Sequence, residues 1–424
     1  MVRTIYKRVT DNPTVNKLGP GLITGAADDD PSGIATYSQA GAQFGFNILW
    51  TVVFTYPLMV GIQIISARMG RITGRGLAAN IRREFPAWLL YVVVGLLFAA
   101  NLINIAADIA AMGQALQLLI GGKEDVYALL FGFVCLGLQI SLPYQRYVRY
   151  LKWLTLALLS YVAVIFTIRV PWLEVARHAV LPEITFSSDY LMVVVAVFGT
   201  TISPYLFFWQ AAQEVEDLRA APGASSLLTA PETAREHLHR IKIDTYIGMG
   251  FSNLVAFFII LSTAATLHTH GITDIQTSAQ AAEALRPLAG DFTFLLFSFG
   301  IIGTGMLAVP VLAGSAAYAV TEALKLRRGL DHKLLEAREF YGIITVATLG
   351  GVAMDFTSID AIKALFWSAV VNGVIAVPIM VVMMLLASRP QVMGPFVITR
   401  NLRRLGWAAT IAMAAAVVAM FATW

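Results

Sequence analysis

Long apolar runs recur along the chain, separated by short polar stretches, and most are long enough to cross a bilayer. A helix needs about 20 mainly apolar residues to span ~30 Å of hydrocarbon. Such runs fall at 18–46, 48–67, 88–120, 126–142, 151–170 and 190–212, then at 245–267, 292–324, 340–354, 361–388 and 405–424. The pattern predicts an all-α polytopic membrane protein with eleven spans. The longest stretch between spans, 214–244, is rich in Glu, Arg, His, Ala and Ser and reads as a solvated linker with at most a short surface helix.

Composition agrees and excludes other classes. Only 13% of the residues are charged, about half of the ~25% usual in soluble proteins. The apolar share is 58% and the mean hydropathy +0.71. A soluble enzyme, a nucleic-acid binder and a disordered scaffold all fit poorly. The single cysteine, Cys135, lies in an apolar run, so no disulfide framework or cysteine metal site is expected. The six histidines, His178, His237, His239, His268, His270 and His332, all fall in predicted loops. The pairs stand two apart, which does not put both rings on one helix face.

Lys and Arg set the orientation, because cytoplasmic loops retain them. Only Lys123, Arg169, Arg177, Arg286 and Lys363 of the 30 basic residues lie in one set of alternate loops. The others lie in the opposite set, which includes the N-terminal tail. The tail and the basic loops are therefore predicted cytoplasmic and the C-terminus external. Residues 1–17 are polar with no apolar core, so they read as a tail and not as a cleavable signal peptide. Seven of the eight Trp fall near span ends, as an interfacial aromatic belt requires. The predicted organisation is a tail at 1–17, spans one to five at 18–170, spans six to ten at 190–388, and an additional span at 405–424.

Two spans are interrupted. The first contains Asp28-Asp29-Asp30-Pro31-Ser32-Gly33, and the sixth contains Gly199-Thr200-Thr201-Ile202-Ser203-Pro204-Tyr205. A carboxylate at the centre of an inserted helix costs roughly 2.5 kcal/mol or more, so these acids call for a function. Asp30, next to the proline, is the leading candidate; Asp28 and Asp29 suit a watery vestibule at the end of the half-helix. Each proline frees a backbone carbonyl. Pro31 and Pro204 are separated by five spans, an odd number, so the second half is inserted upside down relative to the first. Paired broken helices in inverted repeats point to a transport site at the midplane.

The chemistry of that site follows from its donors. Each first half-helix ends in partially negative carbonyls, three carboxylates adjoin one of them, and no Lys or Arg is near. The site attracts cations. The candidate ligands are oxygens: the Asp30 carboxylate, the Ala27 carbonyl, and the hydroxyls of Ser203 and of Thr200 or Thr201. An oxygen-only set suits Mg²⁺, Mn²⁺ or Ca²⁺ better than Fe, Cu or Zn.

At these residues the sequence resembles the natural resistance-associated macrophage protein family of divalent-metal transporters. The resemblance runs from Gly19-Pro20-Gly21 through Asp30-Pro31-Ser32-Gly33 and Ala106-Ala107-Asp108 to the Thr200–Tyr205 break. It implies a LeuT-like 5+5 inverted repeat with discontinuous helices 1 and 6, plus an eleventh helix. Where the family has Asn, Met and His, this chain has Gly33, Ser203 and Tyr205, a combination similar to the NRAMP-related magnesium transporters. The branch implies transport of Mg²⁺ and Mn²⁺ by alternating access. The shorter side chains at 33 and 203 imply a wider site for a partly hydrated ion. Asp108, with Asn101 and Asn104 on the same helix face, and Asn372 in the tenth span, are further candidates for the site or pathway. In proton-coupled relatives an acid one turn beyond the Asp108 position and an Arg of the ninth helix complete a relay; here the first is Ala111, and 340–354 contains no Arg. Proton coupling is therefore not expected.

The expected ligands are the transported ion and the lipid of a bacterial plasma membrane, with no cofactor, no nucleic acid and no catalytic residue; a monomer is compatible with the sequence. Competing readings are a Na⁺-coupled amino-acid or solute symporter on the same fold, a proton-coupled Mn²⁺/Fe²⁺ transporter, and an intramembrane aspartyl enzyme.

Overall fold

A computed structural model describes residues 20–141, 157–220, 223, 225–330, 334–355 and 360–424. The tail 1–17, the start of the fifth span, Arg146, Arg149, Lys152 and His332 lie outside the described residues. Within them the chain is helical, with no strand. The principal helices are α1 (Pro20–Asp28), α2 (Pro31–Phe44), α3 (Leu49–Thr73), α4 (Leu77–Glu84), α5 (Ala87–Ile120), α6 (Glu124–Ser141), α7 (Leu159–Val164) and α8 (Trp172–Val180). They are followed by α9 (Ser188–Thr201), α10 (Pro204–Ala220), α11 (Ala234–Thr266), α12 (Thr293–Leu324), α13 (Arg338–Asp355), α14 (Ala361–Ala387) and α15 (Arg400–Ala422). Eight runs among the described residues are long and apolar enough to cross a membrane, one of which joins α2 and α3 across a short 3₁₀ turn.

Both predicted breaks are real, and proline chemistry causes them. Pro31 opens α2 and Pro204 opens α10, where a missing backbone N–H is tolerated and φ is already helical. The residue before a proline is pushed out of the α region. Asp30 accordingly adopts φ −76°, ψ 170° and caps α2, its side chain accepting from the Gly33 N–H.

The polar stretch 214–244 is largely not a loop. The helix α10 runs on to Ala220 and α11 starts at Ala234, because charged residues continue a helix well once it leaves the hydrocarbon. For the same reason His237 and His239 are helical, in α11, and His178 lies in α8, not in loops. The ninth span is also longer than its apolar run and begins with Arg338, which is exposed at the helix end.

Glycine brings the half-helices against their neighbours. A Cβ at Gly25 of α1 would fall inside the backbone of Gly248 in α11, and one at Gly199 of α9 would fall inside the backbone of Ala369 and Gly373 in α14. Such backbone contact leaves no room for a side chain at either position.

The basic residues gather at one face. There Glu214 pairs with Arg240, Arg71 bonds His237 at 2.7 Å, Glu322 meets Arg328 at 3.2 Å and accepts from the Ala79 N–H at 3.0 Å, and Arg389 lies over the Phe85 ring. The Gly21 N–H donates to Asp244 Oδ2 at 2.6 Å, tying the start of α1 to α11. At the opposite face a cavity of about 210 Å³ is open between α2, α9 and α14, with Ala35, Gln39, Asp189, Asp274 and Lys363 among its lining.

Candidate ion site

Asp30 stands where the two broken helices meet, with only 2% of its surface exposed. Its Oδ1 accepts from Ser32 Oγ at 2.6 Å and from the Gly33 N–H at 2.7 Å. Its Oδ2 accepts from Asn104 Nδ2 of α5 at 3.0 Å and faces the Tyr205 hydroxyl of α10 at 3.4 Å. The same hydroxyl is 3.1 Å from the Ala27 carbonyl oxygen, one of the acceptors left over where α1 ends. A carboxyl group, a helix-end carbonyl, an amide and a phenol from four helical segments thus share one buried point.

The other candidates are placed less uniformly. Ser203 turns its hydroxyl onto the last carbonyls of α9, those of Gly199 and Thr200, at 2.8 and 2.7 Å. Thr201 donates to the Val197 carbonyl and contacts the Tyr37 hydroxyl at 3.0 Å, joining α9 to α2 beside the break. Thr200 is buried against Gly33: a Cβ at Gly33 would stand 3.3 Å from Thr200 Oγ1, 3.3 Å from the Tyr37 ring and 3.5 Å from Asp30 Oδ1. The room that a glycine leaves is therefore filled by Tyr37 and Thr200, so the expected widening at this position is absent.

Asp28 and Asp29 are buried rather than in a vestibule, 1% and 3% exposed. Ser252 of α11 contacts Asp28 Oδ2 at 2.6 Å and Asp29 Oδ1 at 3.0 Å, so they form a separate cluster beside Asp30. The Asp108 carboxyl is fully buried in α5 and faces the Ser32 backbone N–H at the start of α2, near Asp30. Asn101 bonds the Leu312 carbonyl and Ser315 of α12, which makes it a helix-to-helix tie. Asn372 is buried in α14 with its amide nitrogen unpartnered. No group of three His, Cys, Asp or Glu among the described residues is arranged to chelate a metal; the hydrogen-bond partners of Asp30 are the neutral groups of Ser32, Gly33, Asn104 and Tyr205.

Asn104, Ser32, Tyr37 and Ser252 are the neighbours that sequence reasoning underweighted. Only Asn104 carried a signal, as an amide one turn before Asp108 in an apolar helix; the roles of the others depend on packing.

The family model described as natural resistance-associated macrophage protein-like matches residues 21–423, nearly the whole chain. The chain belongs to that family. A divalent metal cation transporter MntH of Caldanaerobacter subterraneus is 25% identical, over 95% of this chain and 92% of its own length. The MntH of Yersinia enterocolitica is 29% identical over 73% of this chain and 76% of its own. Among solved structures, a manganese transporter of Eremococcus coleocola superposes with TM-score 0.73 at 17% identity, covering 95% of this chain and 85% of that one. A nucleobase-cation-symport-1 transporter in a closed conformation gives 0.59 at 13% identity, covering 96% and 93%. The family fold is the LeuT-like inverted repeat with helices 1 and 6 broken, here α1/α2 and α9/α10, and α15 is the additional helix. This family member is an integral membrane protein.

Proposed function

We propose that the chain carries Mg²⁺ and Mn²⁺ across a bacterial plasma membrane by alternating access, with Asp30 as the charged ligand and without coupled proton movement. The observation that carries this reading is the buried Asp30 carboxyl at the meeting of both breaks, beside the Ala27 carbonyl, which α1 leaves outside its own hydrogen bonding. The donors gathered there are oxygens, and a hard ion that retains water is bound through one or two carboxylates. The relatives named MntH are bacterial divalent-metal transporters, which supports both the substrate class and the membrane. In this reading the basic face is cytoplasmic, with the N-terminus inside and the C-terminus outside. The repeats are 18–170 and 190–388.

The absence of coupling rests on the residues around Asp108: Ala111 follows it one turn on, and Arg338 is exposed at the end of α13. An uncoupled divalent ion moves two charges, which at 100 mV is roughly 4.6 kcal/mol of driving force.

The test is Mn²⁺ and Mg²⁺ uptake by proteoliposomes holding Asp30→Asn. Asn retains the helix cap and removes the charge, so the variant should fold and lose uptake by at least an order of magnitude. Uptake at the unsubstituted rate refutes the assignment of Asp30.

A further inference from the structure

A carboxylate offers about four lone-pair sites, and at Asp30 all four face a donor: Ser32 and Gly33 on Oδ1, Asn104 and Tyr205 on Oδ2. An ion that binds Asp30 directly must displace one of them. Gly33 donates from the backbone of a helix cap, Ser32 is two residues away in the chain, and Asn104 is at 3.0 Å. Tyr205 is the longest contact, at 3.4 Å, and its hydroxyl also reaches a second candidate ligand, the Ala27 carbonyl. One hydroxyl hydrogen is thus shared between two oxygens that an ion would draw together.

We propose that the Tyr205 hydroxyl is a built-in competitor of the ion, which lowers affinity for directly bound divalent cations and so levels Mn²⁺ with Mg²⁺. The inference rests on the reading of Asp30 as the ion ligand and assigns a specificity role to a residue beside it. Mn²⁺ and Mg²⁺ differ in how readily they give up water, Mg²⁺ being the more reluctant. A bare ion needs the lone pairs the phenol covers. A hydrated ion does not, because a coordinated water can donate to the phenol oxygen, whose lone pairs remain free while its hydrogen stays on Ala27 or Asp30. The penalty imposed by Tyr205 therefore falls mainly on the ion that sheds water more easily. Tyr205 is 1% exposed and closely packed, so its hydroxyl has no solvent to retreat to.

The experiment is calorimetric titration of the full-length purified chain with Mn²⁺ and with Mg²⁺, in the native sequence, Tyr205→Phe and Asp30→Asn. Tyr205→Phe keeps the ring and removes only the competing hydroxyl; Tyr205→Leu serves as a second variant should the first not fold. Expected is Mn²⁺ binding about ten-fold tighter in Tyr205→Phe, with Mg²⁺ changed by less than about three-fold. Unchanged or weaker Mn²⁺ binding, or an equal shift for both ions, overturns the proposal; weakening of both is the signature of a purely structural tyrosine. If Asp30→Asn binds Mn²⁺ as the native chain does, the ion-site reading itself fails. If Asp30→Asn loses binding while Tyr205→Phe gains none, only the role of Tyr205 fails.

Discussion

Removing Arg240 should open the basic face. Arg240 of α11 pairs with Glu214 of α10 and lies 3.8 Å from Asp217. The helix α1 packs on both α10 and α11, so in the proposed alternating access this pair joins the two helices that α1 leaves when the basic face opens. The Glu214 side chain is fully buried and its Oε1 has no partner, whereas Arg240 is 21% exposed. Removing one partner of a buried pair costs roughly 3–5 kcal/mol; the exposure of Arg240, and the Arg71 guanidinium that stays near Glu214, reduce this to about 2 kcal/mol. The cost applies to the conformation closed at the basic face, since opening hydrates Glu214. A shift of about 2 kcal/mol multiplies the open population about 30-fold. The assay is thiol labelling from the basic face at Thr24→Cys, a fully buried position of α1, with Cys135→Ala to remove the native thiol. Arg240→Ala should label about 30-fold faster, and Glu214→Gln with Arg240→Met, which removes both charges, should return labelling towards the original rate. Labelling unchanged by Arg240→Ala, or as fast in the double variant, refutes the argument from an orphaned charge.

Ser203→Met should shift preference towards soft ions, because a thioether replaces a hydroxyl committed to the Gly199 and Thr200 carbonyls; Cd²⁺ should then inhibit Mn²⁺ uptake at about ten-fold lower concentration, measured by competition. Proton coupling is tested directly with a pH-sensitive dye inside liposomes: at clamped potential, Mn²⁺ or Mg²⁺ influx should leave internal pH unchanged, and acidification in proportion to influx would refute uncoupled transport.

The sequence by itself determined the elements and their interruptions. Most long apolar runs in the described residues are helices, because in hydrocarbon a backbone must satisfy its own hydrogen bonds, and Pro31 and Pro204 broke two of them by steric necessity; of the fifth run, the described part is α-helical only over Leu159–Val164. It also determined the segregation of charge: the described basic residues of alternate loops meet at one face, where Arg71, Arg240, Arg328 and Arg389 make their contacts. Asp30 was legible as a site residue because a carboxylate beside a proline in an apolar run has no cheap structural explanation.

Where helices end in water was less legible, since the charged residues of 214–220 and 234–244 extend helices as readily as they fill loops. Direction and partnership of side chains were decided only by tertiary structure. Ser203 and Tyr205 flank the same proline, yet one turns back onto its own span and the other reaches across to Ala27 and Asp30. Asp28 and Asp29 differ from Asp30 by one or two residues, yet share Ser252 of α11 instead of Asn104 of α5. The helix ends at Asp28 and Asp30 is extended at ψ 170°, so the backbone turns Asp30 away from the neighbour that Asp28 and Asp29 share. Which neighbours those are depends on contacts more than a hundred residues away in the chain, such as Gly25 on Gly248 and Gly199 on Gly373, and no local pattern encodes that pairing.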